Sequence, residues 1–492
     1  VERPLEDLVA RYARTHAPFL TADVAARLGV GADRVRAALE ALADGGRVLH
    51  GEFRPGGLER EWCDADVLRR IRRRSLAALR KEVEPVDAAA FGRFLPAWQG
   101  ADRPRGGVDA LPEALARLQG LAIPASILES DVLPARVQGF RPADLDALTA
   151  SGDLVWIGAG ALGSDDGRVA LLFREQAPLL APSPVPEEDR PAGPLHDALR
   201  EHLARRGASF WPDLVQAAGT AEERALLRAL WDLVWAGEVT NDTLAPLRAT
   251  VARATARRTP RSGARPRPGA LRRAGPPAGA GRWSLVADLT VADVAATARA
   301  HALAAQLLDR HGVVTREAVL AEATPGGFAG VYPLLRAMEE SGKARRGYFV
   351  AGLGAAQFAM PGAVDRLRAA RDPSPDPQVL TLAAADPAQP YGAALPWPES
   401  AGRPSRAAGA FVVLADGAPA AFLERGAKTV ATFPDADPGV WADAIAALAK
   451  DGRVRRLELR QIDGAPVTEH PAADALRSAG FADGYRGLTF RG

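Results

Sequence analysis

The chain has 492 residues, a formal net charge of +2 and 47% hydrophobic residues. At roughly 100–150 residues per domain that length excludes a single core, and the absence of any apolar run near the ~18 residues needed to cross a bilayer excludes a membrane span. A lone Cys63 excludes an internal disulfide, and with seven scattered histidines it excludes a Cys/His zinc cluster, so no metal is expected and a reducing, cytoplasmic setting is.

Val1-Glu2-Arg3-Pro4 does not read as a signal sequence, and without a starting methionine the chain is expected to be a piece of something longer. Apart from Lys81, Lys343, Lys428 and Lys450, every Lys/Arg position is arginine. Arginine suits phosphate recognition through its planar fork, although GC-rich codon usage accounts equally well for the bias.

In chain order, residues 21–30 predict a short helix opened by Thr21 and ended by Gly29. Asp33 caps a second, with Val35, Leu39 and Leu42 at helical spacing. Gly45-Gly46 and two extended stretches, Arg47–Phe53 and Leu58–Trp62, complete a helix–turn–helix–strand–strand order, that of a winged helix.

The same ending returns three times, at Leu148–Trp156 with a hairpin through Asp165-Asp166-Gly167, at Leu233–Val239, and at Met338–Val350. The third copy has helices at about 194–205 and 221–235. The fourth has them at about 294–310, 315–321 and 328–341.

The expected layout is α+β, a tandem winged-helix array followed by a small β-barrel-like domain. Its parts are 1–63, winged helix 1; 64–175, winged helix 2 with a basic lead helix; and 190–250, winged helix 3. A disordered basic linker follows at 253–281, with Arg257-Arg258 and Arg272-Arg273. Winged helix 4 takes 282–372 and the β-rich end 377–492.

No Gly-x-x-x-x-Gly-Lys-[Ser/Thr] loop, Gly-x-Ser-x-Gly elbow or His-Glu-x-x-His helix is present, so ATP hydrolysis is not expected of this chain alone. Arg69, Arg70, Arg72, Arg73 and Arg74, five arginines in six positions of one helix, are the strongest phosphate-binding signal, the alternative being a solvated face. Arg345 and Arg346, at the base of the fourth wing, and Arg136 join them as DNA-binding candidates. Trp98 is a candidate base-stacking residue, whereas Trp156 and Trp235 read as core. The helix from Arg34 to Leu42 is mostly Ala, Leu and Val, so contact is expected to be backbone-dominated and salt-sensitive.

Four stretches resemble the C-terminal region of Lhr, the large helicase-related proteins: Arg93–Gly100, Leu118–Val137, Arg346–Met360 and Gln389–Pro398. The resemblance implies DNA, single-stranded or forked, as partner and assembly into a homo-oligomer. It also implies N-terminal motor domains outside this chain, those of an ATP-dependent 3'–5' DNA-repair helicase, for which ATP and Mg are expected. No cofactor is expected here.

The family's C-terminal region is similar in layout to the AlkZ/YcaQ winged-helix DNA glycosylases, which implies uracil-DNA glycosylase chemistry as an alternative. Those enzymes use a Gln-Φ-Gln or Gln-Φ-Asp motif. Gln461-Ile462-Asp463 matches its letters in the β-rich end, and Gln99 with Asp102 lies in a more similar context. Gln99, Asp102 and Asp463 are therefore the catalytic candidates. Glu129 and Asp131 are further carboxylates that could instead cap a helix or pair with Arg136. A third reading makes the winged helices a scaffold for protein contacts.

Overall fold

A computed structural model describes residues 3–54, 59–82, 84–164, 166–183, 185–256, 275–290, 294–373 and 375–490. The chain divides into two compact units, Val1–Glu84 with Met338–Tyr348, and Pro85–Ala337 with Phe349–Gly492.

In the first unit, helices Pro4–Thr15, Thr21–Leu28 and Ala32–Asp44 precede antiparallel strands Val48–Gly51 and Glu61–Asp64, with Val48 opposite Asp64. Apolar residues of the three helices, Val9, Ala13, Val24, Val35, Leu39 and Leu42, meet Val48 and Trp62 of the strands in one core. Thr21 does not cap its helix. Leu20 occupies the cap position and its backbone N–H donates to Asp23 (2.8 Å), while the Thr21 hydroxyl accepts from the Trp62 indole (3.0 Å).

Cys63 is fully buried in the second strand. Burial, then the charges of Asp64 and Glu61, push its thiol up to about 11. Helix Ala65–Glu82 packs against helix Pro4–Thr15, strand Glu61–Asp64 and strand Arg345–Gly347. The basic helix, expected to lead the second module, thus belongs to the unit of the first, anchored by buried Leu68.

The second unit begins with helices Ala88–Gln99, Ala110–Leu118 and Pro142–Ala150, then a hairpin of Leu154–Ala161 and Gly167–Phe173, joined at its edge by Ile123–Pro124. Asp165 lies outside the described residues. Asp166-Gly167 is not a two-residue turn, because Ala161 pairs with Gly167 and the connection is longer.

The next module comprises helices Pro194–Arg206, Trp211–Ala218 and Glu223–Trp235 and strands Ser209–Phe210, Val239–Asn241 and Arg282–Leu285. Its last strand lies beyond the arginine-rich segment and pairs Val239 with Leu285, so residues 282–285 close the third module instead of opening the fourth. Residues 257–274 of the expected linker lie outside the described residues. Helix Ala245–Ala256 runs into it, and Ala278, buried at its far end, accepts from the Trp231 indole (2.9 Å). The two modules share one core, in which Trp156, Trp231, Trp235 and Trp283 pack on one another.

Helices Ala296–His311, Arg316–Ala321 and Gly327–Glu340 follow, with Val313–Val314 paired to Gln357–Ala359. The glycine expected at each helix-to-strand junction takes the left-handed conformation every time: φ is +67° at Gly46, +82° at Gly152, +74° at Gly237 and +79° at Gly342.

The β-rich end is an open sheet. Strands 379–383, 411–415, 418–423 and 429–432 run antiparallel, 461–462 adds in parallel, and 465–466 forms the far edge. A second sheet orders 457–459, 487–490 and 482–484. Among the described residues no pairing closes either sheet into a barrel. Helices Pro438–Lys450 and Ala473–Ser478 bury Trp441, Ile445 and Leu476 against these strands.

Candidate nucleic-acid interface

In the first unit, Arg69, Arg70, Arg72, Arg73 and Arg74 are all exposed, while Leu68 is buried and Ile71 half-buried on the opposite side. Arg69 pairs with Asp66, which is equally exposed, so the pair contributes little to stability. Arg70, Arg72, Arg73 and Arg74 have no carboxylate partner among the described residues. Arg345 and Arg346 are half-buried, and Arg346 pairs with the buried Glu339 at 3.4 Å. Exposed Tyr348 follows that strand and did not stand out in the sequence.

In the second unit, residues from three of the family-like stretches meet in a buried polar node. Arg136 has 1% of its side chain exposed and forks onto Asp386 at 2.8 and 3.0 Å, with Asp386 equally buried. The same guanidinium donates to the Val132 carbonyl (2.8 Å) and to Gln99 Oε1 (2.6 Å). Gln99 returns two longer contacts, to the carbonyls of Arg310 (3.2 Å) and Pro387 (3.3 Å). Arg406 donates to the carbonyls of Asp386 (2.8 Å) and Gln389 (2.6 Å).

Two candidates change role here. Arg136 is enclosed and both its terminal nitrogens are taken, so it has no face for a phosphate. Gln99 is a structural amide that joins the node to the helix ending at His311, with no free face for substrate. Asp386, which completes the node, carried no sequence signal, because its partner lies 250 residues away.

The fourth stretch folds back on itself. Gln357 Oε1 accepts from the backbone N–H groups of Phe349 (2.9 Å) and Val350 (2.8 Å). Glu129 and Asp131 are structural, but with other partners than Arg136. Arg248 forks onto Glu129 at 2.6 and 2.7 Å, and hydrogen bonding to Glu129 holds its guanidinium above its ordinary pKa. Arg453 grips Asp131 at 2.7 Å.

Asp463 accepts from the Thr432 N–H (2.7 Å) and hydroxyl (2.6 Å) and pairs with His470 at 3.6 Å, tying two sheet segments together. Asp102 sits half-buried on a bend after helix Ala88–Gln99 and has no side-chain partner among the described residues. Trp98 is half-buried. Its indole donates to the Asp309 carbonyl (2.7 Å), and exposed Arg366 lies 5.2 Å over its ring. Trp156 and Trp235 are core, as their junction position predicts.

A third buried charge cluster joins Arg310, His311 and Glu322, with His311 Nε2 and Glu322 Oε1 2.6 Å apart. Burial works against the Glu322 carboxylate, but Arg310 and His311 outweigh it and hold the pKa below the ordinary value. Among the described residues no cluster of His, Cys, Asp and Glu is arranged to hold a metal, and no helix is long and apolar enough to cross a membrane. Two open cavities, of about 520 Å³ beside Val379 and Asp443 and about 300 Å³ beside Thr240 and Arg282, are not lined by Gln99, Asp102 or Asp463.

Models of the large helicase-related protein winged-helix domain match residues 86–174 and 293–379. Over 99% of its length the chain is 43% identical to the "Lhr helicase/ probable uracil glycosylase" of Mycolicibacterium smegmatis (strain ATCC 700084 / mc(2)155) and 36% identical to the "Lhr helicase/uracil glycosylase" of Escherichia coli (strain K12). It spans 34% of the length of each. Among solved structures, Streptomyces sahachiroi DNA glycosylase AlkZ is similar over 77% of this chain and 100% of that one, with a TM-score of 0.46 and 16% identity.

Proposed function

We propose that this chain, which carries two winged-helix domains of the large helicase-related family, is the DNA-handling region of such a protein. One observation carries the reading: Arg70, Arg72, Arg73 and Arg74 stand exposed on one helix with no carboxylate partner among the described residues. Unneutralised arginines at that density release counterions when they meet phosphates, which makes binding strong at low salt and steeply salt-dependent. Helix Ala32–Asp44 of the same unit is a poorer DNA face, since its exposed charges are Asp33, Glu40 and Asp44 against Arg34 and Arg36.

The longer protein would supply the ATP- and Mg-dependent motor, and the region would tether or orient it, as a homo-oligomer, on forked DNA. Fluorescence anisotropy on labelled DNA over a salt series tests this. The Arg70/Arg72/Arg73/Arg74→Ala variant is expected to lose at least tenfold in affinity and to show a shallower salt slope. Equal affinity of variant and wild type would refute the site, and an oligomer without DNA affinity would favour the scaffold reading.

A second reading, excision of uracil from DNA, is favoured by the names of both relatives. Of the three catalytic candidates, Asp102 is the one whose carboxylate is left without a side-chain partner among the described residues. It would position water against an oxocarbenium-like sugar. Alkaline cleavage of uracil-containing DNA after incubation with excess protein tests this reading, and no strand break at excess would end it.

A further inference from the structure

We propose that helix Ala65–Glu82 lies in the major groove of duplex DNA, gripping both phosphate rows at once. The inference rests on the DNA-handling reading and adds the class of nucleic acid and the way it is held. At about 100° per residue, with Arg73 taken as the crown, Arg69 and Arg70 fall about 40° and 60° to its two sides. Arg72 and Arg74 fall about 100° to its two sides, pointing laterally in opposite directions. Leu68 and Ile71 lie at about 140° and 160° from the crown, which matches their burial. The basic surface therefore wraps some 200° of the helix instead of forming one stripe.

A single phosphate backbone can engage one flank of such a helix. It would leave the opposite lateral arginine in water, with nothing repaying the clustering of like charge. A groove with phosphates on both walls engages both flanks. The major groove of B-form DNA is about 12 Å wide and admits an α-helix of 10–12 Å diameter, whereas the A-form major groove of RNA is too narrow.

The helix also lacks what a single-strand site needs. Residues 65–82 contain no aromatic side chain on which unpaired bases could stack. Arg72 and Arg74 then meet the two phosphate rows, and Arg73 points to the groove floor.

The full chain is titrated by anisotropy with a labelled 20-base-pair DNA duplex, a single strand of the same sequence and an RNA duplex. Guanine N7 reactivity to dimethyl sulfate reports groove occupancy. The DNA duplex is expected to bind at least tenfold tighter than either other probe, with guanine N7 protected. Arg72→Ala and Arg74→Ala are each expected to weaken duplex binding by a similar factor and to lower the salt slope by about 0.9.

Circular dichroism melts of these surface variants should match wild type. A single strand that binds as tightly as the duplex, or an effect confined to one flank, overturns the groove placement and leaves the DNA-handling reading standing. No binding to any of the three probes overturns both.

Discussion

Arg136 and Asp386 hold each other by two hydrogen bonds of 2.8 and 3.0 Å although 250 residues of chain separate them. Both side chains are 1% exposed, so the pair fixes the β-rich end onto the module that contains helix Ala88–Gln99. Replacing Arg136 by Met leaves the buried Asp386 without its bidentate partner, at a cost of about 3–5 kcal/mol. Replacing both partners with apolar residues is expected to cost less than either single change, because no isolated charge remains. Urea unfolding of the two single variants and the double variant checks this. A double variant that loses the sum of the singles would show the pair is not coupled.

Gly92 and Gly417 are the point at which that helix touches the 411–423 hairpin. A Cβ on Gly92 would stand 1.9 Å from the Gly417 carbonyl oxygen, with no flexible side chain to give way. Gly92→Ala should therefore destabilise the second unit by about 1–3 kcal/mol or more. Alanine is the better helix former, so any loss of stability on thermal melting of Gly92→Ala comes from the clash, and a variant as stable as wild type would show that the contact yields.

Glu322 makes stability pH-dependent. Its pKa in the folded chain lies below the ordinary 4.5, so the folded state favours its charged form. That contribution is complete above pH 4.5 and is lost as the pH falls through the folded value. Glu322→Gln should lower stability at pH 7 and flatten the acid limb between pH 5 and 3, as measured by urea midpoints at successive pH values. An acid limb as steep in the variant as in wild type would assign the acid sensitivity elsewhere.

Asp463 and Asp102 should separate stability from chemistry. Asp463→Asn weakens the acceptor of two Thr432 hydrogen bonds and is expected to cost about 1–2 kcal/mol while leaving any uracil excision per folded molecule unchanged. Asp102→Asn, with no side-chain partner to lose, is expected to melt like wild type and to abolish excision. Excision rates normalised to the folded fraction distinguish the two, and a reversed pattern would make Asp463 the reacting carboxylate.

What the sequence determined by itself is local. Period-3.6 apolar spacing placed helices in the first, third and fourth modules, and the junction glycines marked where each module turns into a strand. Each of these signals is read within about ten residues of chain. The arginine helix was legible for the same reason, since charge density on one helix needs no distant partner to be seen. Tertiary structure alone decided which polar residues are structural. Gln99, Arg136, Glu129 and Asp131 look like site chemistry in sequence, and each is consumed by Arg310, Asp386, Arg248 or Arg453 from far along the chain. Buried polar groups must find partners wherever the fold supplies them, so their roles follow from proximity that spacing does not encode. The same holds for strand 282–285, whose membership of the third module is set by its pairing with Val239–Asn241 across the intervening arginine-rich segment.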